Sequence, residues 1–422
     1  VGMVAARGTP LNEGIRFGRI FYYSEHMGHA AFDEIKEPTI VVAVDLTPGD
    51  TIRFGRLNVV GLVVKNAAPN SHTAILSRTM GLPALCGEEV DAQWHGLPAI
   101  IDGGGELIVN PDEPTRSEYA LKADDFDARQ RELASVSRDL SAVTKSGNSI
   151  LLYANINAVS DVENAIANGA AGIGNFKTEF MFMESSDLPG EEQQFQIYTA
   201  MASRLGTGKF VIRTLDVGAD KTPGYLHLEP EENPALGYRA IRISLDRRDI
   251  FVPQIRAILR ASAYANVAIM YPMIVSVDEV LQIKEIVGQV MEDLTGEDIP
   301  FNRDIEQGIM IETPAAVLIS DDLAPLVDFF SIGTNDLTQY MLAIDRTNPR
   351  LAERYGPSHP AILRSIKLVA ENARSAGAWV SISGELAADE ALTSTFLDYG
   401  VDALTVSPSR IPQLKVAVRN ID

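Results

Sequence analysis

From residue 150 onward the chain repeats one pattern. A short apolar run ends in polar residues, and a stretch with helical apolar spacing usually follows. The runs are "ILLYANI" near 150, "AAGIGNF" near 170, "KFVIRTLD" near 209, "VAIMYPMI" near 267, "QGIMIET" near 307, "FFSIGTN" near 329, "WVSISGE" near 379 and "ALTVSP" near 403. Short apolar runs separated by helical spacing predict strands that alternate with helices and lie parallel. Eight of them over ~270 residues fit a (β/α)8 barrel. An open doubly wound sheet fits the same pattern.

Before residue 113 the pattern differs. "RFGRIFYY", "TIVVAVDL", "VVGLVV", "PAIIDG" and "ELIVNP" are rich in β-branched residues and bounded by Gly, Pro or Asp, and they predict short strands. Among them "SHTAILSRTMG" predicts one short helix, with Ser71 as N-cap and Gly81 as its stop. "PTRSEYALKADDFDARQRELASVSRDLSAV" then brings charge, helical spacing and no glycine, and predicts a solvated linker helix. The expected organisation is a mixed α/β unit over residues 1–113, a linker helix over 114–147 and a barrel over 148–422.

Composition narrows the function classes. The formal net charge is -21, which argues against a nucleic-acid backbone as partner. A single cysteine, Cys86, excludes an intrachain disulfide framework and fits a reducing cytoplasm. No apolar run is long enough to span a bilayer, so no membrane association is expected. The chain begins with Val, which suggests a trimmed start.

An acidic chain that handles an anion must gather its cations locally. In a (β/α)8 barrel the site lies at the C-terminal ends of the strands. The second strand ends in Lys177 and Glu179, and the third in Arg213 and Asp216, with Arg239 in the long loop beyond. Glu312 follows the fifth strand. Asn335 and Asp336 follow the sixth, with Arg346 further on, and Ser383 and Glu385 close the seventh. Cations beside carboxylates on one rim suit an anionic substrate and a hard dication such as Mg2+. The plainer alternative is a set of solvated ion pairs. His72 opens the short helix between Ser71 and Thr73. A neutral imidazole is a nucleophile, and a helix N-terminus favours the charge of a phosphoryl group. The plainer alternative is a structural or surface histidine.

These residues carry a resemblance. "SHTAILSRTMGLPAL" resembles the phosphohistidine motif of the phosphoenolpyruvate (PEP)-utilising enzymes. "GIGNFKTEFMFM", "IRTLDVGADK", "ENPALGYRAIRI", "IRAILRASA", "IETPAA", "DFFSIGTNDLTQYMLAIDR" and "SGELAAD" resemble the barrel of enzyme I of the sugar phosphotransferase system. The resemblance implies a swivelling phosphohistidine domain, a linker helix and a PEP-binding (β/α)8 barrel. It implies that His72 accepts the phosphoryl group of PEP. Arg213, Arg239 and Arg346 would hold its phosphate and carboxylate, with Asn335 beside them, and Glu312 and Asp336 would bind Mg2+. It also implies a homodimer through the barrel, although the chain ends soon after the last barrel helix, earlier than in family members with a further helical segment.

Three departures accompany it. Ser383 stands where the family has a cysteine that protonates the enolate. Lys177 stands where the family usually has an arginine on the phosphate. The helical subdomain that docks the histidine-containing carrier protein has no room in "RIFYYSEHMGHAAFDEIKEPTIVVAVDLTPGD", and "AAPN" replaces two glycines and a basic residue before His72. No ATP-binding domain is expected, which argues against the dikinase and synthase branches. The expected function is a cytoplasmic, Mg2+-dependent phosphotransferase that acts through phospho-His72. Its acceptor would be a small molecule or a carrier protein. The alternative is a catalytically weakened PEP-binding regulatory protein.

Overall fold

The computed structural model describes every residue except Val1, Gly28, Gly55, Arg56, Pro69, Asn70 and Lys221. Part of the altered "AAPN" segment, Pro69 and Asn70, therefore lies outside the described residues. The chain forms two compact units, residues 1–135 with 344–356, and residues 136–343 with 357–422.

Among the described residues the first unit contains seven strands: β1 (Val4–Asn12), β2 (Ile15–Tyr23), β3 (Thr39–Ala43), β4 (Val59–Val64), β5 (Ala84–Gly87), β6 (Pro98–Asp102) and β7 (Glu106–Val109). They close into a barrel in the order β1-β5-β4-β3-β2-β6-β7. β2, β3, β4 and β5 pair in parallel, and the remaining pairings are antiparallel. Successive side chains of a strand face opposite ways. Ile20, Ile40, Val42, Val63, Leu85 and Ile101 accordingly share one apolar cluster, while Phe21, Val41, Leu62, Val64 and Ala84 share another.

Parallel β4 and β5 need a crossover, and the helix His72–Met80 supplies it. The Ser71 hydroxyl accepts from the Ala74 N–H at 3.3 Å. Gly81, at φ 68°, takes the left-handed C-cap. Cap and stop are those read from the sequence. β1 and β5 were not legible there: Arg7, Gly8, Thr9 and Pro10 interrupt β1, and β5 has four residues.

A helix spans Glu113–Ser137, and Tyr119 on it packs against Ile15, Ile100 and Ile108 of the first barrel. It stops well short of Ser146. Lys415 Nζ donates to the carbonyls of Ser137 and Arg138 at 2.9 and 3.2 Å, which satisfies the end of the helix.

Among the described residues the second unit has eight strands: β8 (Leu151–Ile156), β9 (Gly172–Lys177), β10 (Phe210–Arg213), β11 (Val267–Tyr271), β12 (Glu306–Ile311), β13 (Phe329–Gly333), β14 (Trp379–Ser383) and β15 (Ala403–Val406). All pair in parallel, and β15 returns to β8. Closure decides between the barrel and the open sheet in favour of the barrel. Val211, Ala268, Met270, Met310 and Phe329 form one apolar cluster with Trp379 against it. The alternate residues, such as Ile212, Ile269, Ile309 and Ile332, pack in the large cluster shared with the helices. Among the described residues, no helix is long and apolar enough to cross a membrane.

Candidate active site

The C-terminal end of β10 supplies the central cation. Arg213 is its last residue, is buried, and pairs in register with Lys177 at the end of β9. Its guanidinium donates to Oε1 of Glu179, the first residue of the helix Glu179–Glu184. It also lies 3.3 Å from Oδ2 of Asp216. The other Asp216 oxygen accepts from Arg239 at 2.9 Å. Arg239 reaches onward to the Tyr340 hydroxyl at 3.1 Å and lies 3.9 Å from Asp336. Asp216 thus stands between two guanidinium groups.

Glu312 follows β12 with 1% of its surface exposed. Its Oε1 accepts from the Met273 N–H at 2.8 Å. The neighbouring β13 ends in Gly333, where a Cβ would lie 2.8 Å from Glu312 Oε2, so only glycine leaves this carboxylate undisturbed. The helix Thr334–Leu342 then begins, and Asn335 and Asp336 fall in its first turn. Thr334 donates to the carbonyl of Ser383, the buried last residue of β14, at 3.2 Å. The Asn335 side-chain oxygen accepts from the Glu385 N–H at 3.5 Å.

Ligand oxygens of Asp216, Glu312 and Asp336 lie within 4.8 Å of one another. Burial first, then the charges of Asp336 and Asp216, push the Glu312 carboxyl well above its ordinary range, and Arg213 and Arg239 only partly oppose this. Burial works against the charge of Arg213, but Glu179, Asp216, Glu312 and Asp336 outweigh it and keep the guanidinium protonated. Burial likewise pushes the Tyr340 hydroxyl up to about 12, so it stays a neutral partner to Arg239. Three close carboxylate oxygens form a hard donor set of the kind that suits Mg2+. A dication there would also relieve the repulsion that raises Glu312.

Two backbone positions at this rim are strained. Ala240, next to Arg239, has φ 53° and ψ -125°, and Met273, which donates to Glu312, has φ 61°. Such conformations in non-glycine residues concentrate where a side chain must be held in one place.

The second unit thus gathers Arg213, Arg239, Glu312 and Asp336, with Lys177, Asn335 and Ser383 on adjoining strand ends. His72 and Arg346 lie in the other unit, His72 on the crossover helix and Arg346 on segment 344–356. Sequence reasoning named Asp216 without giving it a role as a ligand. The available signal was its position three residues after Arg213, in the same strand-end turn. Tyr340 was missed, although it lies four residues after Asp336 on one helix, a spacing that puts both on one face.

Residues 131–422 match the family "PEP-utilising enzyme, PEP-binding domain", and residues 35–112 match "PEP-utilising enzyme, mobile domain". The phosphoenolpyruvate-protein phosphotransferase of Haemophilus influenzae is 40% identical over 392 residues, 92% of this chain and 68% of that one. That of Priestia megaterium is 41% identical over 391 residues, again 92% and 68%. That of Staphylococcus aureus is 42% identical over 380 residues, 89% and 66%. The chain belongs to the PEP-utilising enzyme family.

Proposed function

We propose that this protein is a PEP-dependent phosphotransferase, which moves the phosphoryl group of PEP to His72 and then to an acceptor, a small molecule or a carrier protein. The observation that carries this reading is the trio Asp216, Glu312 and Asp336 set against Arg213 and Arg239 at the barrel mouth. Lys177, Arg213, Arg239, Arg346 and Asn335 bind the phosphate and carboxylate of PEP. Glu312 and Asp336 would hold Mg2+, with Asp216 as a third oxygen donor, and such an ion, when bound, would supply charge stabilisation for the phosphoryl oxygens.

Catalysis of this kind is mostly positioning and charge stabilisation. A neutral ring nitrogen of His72 attacks phosphorus in line. The bond from phosphorus to the enol oxygen breaks, and its electron pair leaves with the enolate of pyruvate. The enolate then takes a proton at carbon. Ser383 borders the place where the family's thiol acts, and a hydroxyl is a much weaker acid. Phosphoryl transfer itself needs no acid at residue 383, because the enolate forms before it is protonated. The new charge on His72 lies at the N-terminus of the helix His72–Met80, which favours it.

Intact mass after incubation with PEP and Mg2+ tests this reading. The expected result is one added phosphoryl group on the protein and none on His72→Ala. No gain on the unsubstituted protein, with PEP bound by calorimetry, would remove the carrier role.

A further inference from the structure

The interior of the second barrel changes character from one side to the other. β10 and β12 lead into Arg213, Asp216 and Glu312. The strands on the other side offer neutral polar groups: Asn155 on β8, Asn175 on β9, Ser331 on β13, Ser381 and Ser383 on β14, and Thr405 on β15. The facing of Asn155 follows from alternation. Leu152, Ala154 and Ile156 lie in the outer apolar cluster, so Tyr153 and Asn155 face the interior.

A bulge brings a second asparagine beside the first. Ala154 pairs with Ile173, but the next pair is Asn155 with Asn175, which leaves Gly174 as the extra residue. A Cβ at Gly174 would lie 2.1 Å from Thr405 Oγ1 and 2.8 Å from Tyr153 Cβ, so the bulge requires glycine there. Residues paired in register share a face, and Asn175 therefore joins Asn155. A third asparagine, Asn157, follows β8. Its backbone N–H and that of Ala158 both donate to Asp161 Oδ2 at 3.0 Å, which fixes the turn that carries it.

These side chains are buried, with Asn155 9%, Asn157 5% and Asn175 1% exposed. Yet Asn155 Oδ1, Asn175 Oδ1 and both amide atoms of Asn157 have no hydrogen-bond partner among the described residues. Native proteins rarely leave buried amides unsatisfied, and where they do a ligand or water commonly completes them. The place is next to the charged cluster, because Lys177, two residues after Asn175, is in register with Arg213.

We infer that Asn155, Asn157 and Asn175 form a subsite for a neutral, hydroxyl-bearing substituent on the enol phosphate that this barrel binds. The inference rests on the PEP-dependent reading above and extends its substrate class to enol phosphates substituted at the terminal carbon. An amide presents a donor and an acceptor together, and a hydroxyl answers both. The three amides carry no charge, so a second carboxylate would gain no cation from them. PEP itself, with two hydrogens on its terminal carbon, would leave the amides to water.

The test measures binding of three probes in the presence of Mg2+ by calorimetry: PEP, its 3-hydroxymethyl analogue and its 3-ethyl analogue. The two analogues match in size and differ by a hydroxyl against a methyl. A site built to bond a hydroxyl rejects the analogue that lacks it, so the expected preference for hydroxymethyl over ethyl is about 30-fold or more. Asn175→Leu and Asn155→Ala are expected to cut that ratio to about 3-fold or less. Equal binding of the two analogues, with PEP bound and His72 phosphorylated, would overturn the subsite alone and leave the amides to ordered water. A preference that persists in both folded variants would overturn it too. Failure of PEP itself to bind would overturn the subsite together with the reading it rests on.

Discussion

A hydroxyl at Ser383 stands where the resemblance to enzyme I puts a thiol, and the backbone holds it firmly. Ser383 is buried, in register with Gly333 on one side and Thr405 on the other, and its carbonyl accepts from Thr334. A cysteine there would keep the position and gain an acid with a pKa of roughly 8.5. Ser383→Cys is expected to raise deuterium exchange at C3 of pyruvate on the order of 100-fold, the usual scale of a well-placed general acid, as read by NMR. An unchanged exchange rate would mean that another group protonates the enolate. Gly333 makes a similar argument from bulk. Gly333→Ala would set a methyl 2.8 Å from Glu312 Oε2. The expected result is a loss of Mg2+ affinity of about tenfold, the cost of disturbing a ligand's support, measured by titration calorimetry.

At the scale of elements, the helix His72–Met80 was the most fully legible piece of the chain. A cap, an apolar stripe and a glycine stop sit within eleven residues, from Ser71 to Gly81. Its stability is expected to depend on the cap. Ser71→Ala removes the acceptor for the Ala74 N–H and is expected to destabilise the first unit by ~1 kcal/mol, checked by urea unfolding. The eight strands of the second barrel were legible too, because each is an apolar run ended by a polar residue. β1 was not, since a strand broken by Arg7, Gly8, Thr9 and Pro10 is defined only by its partners β5 and β7. The site divides along the same line. Strand-end cations and carboxylates show in the sequence because the barrel pattern says where they sit. The bulge that turns Asn175 toward Asn155 does not, because it exists only in the register between two strands.

Over the whole molecule, two compact units with separate apolar clusters should not melt as one. Scanning calorimetry is expected to show two transitions, and Mg2+ should raise only that of the barrel carrying Glu312. Saturation at 100 times the dissociation constant corresponds to ~2.7 kcal/mol of added stability. Glu312→Gln should abolish the shift. The shift should also grow as the pH rises above the ordinary carboxylate range. The Glu312 proton is held above its ordinary range in the folded state, so at lower pH the proton and the cation compete for one carboxylate. A shift of equal size in both transitions, or one that survives Glu312→Gln, would move the metal site elsewhere.

The way the second barrel closes has a consequence for how such a chain can be rearranged. β15 is hydrogen-bonded to β8, and the Lys145 N–H donates to the Ile421 carbonyl at 2.9 Å. The start and finish of this unit therefore lie side by side. Apart from segment 344–356, which belongs to the first unit, it is topologically a ring cut between Ile421 and Lys145. A permuted gene that joins Ile421 to Lys145 and opens a surface loop elsewhere would encode the same eight-stranded wall. The first unit could then be attached at whichever loop an engineer, or a genome, chose to open.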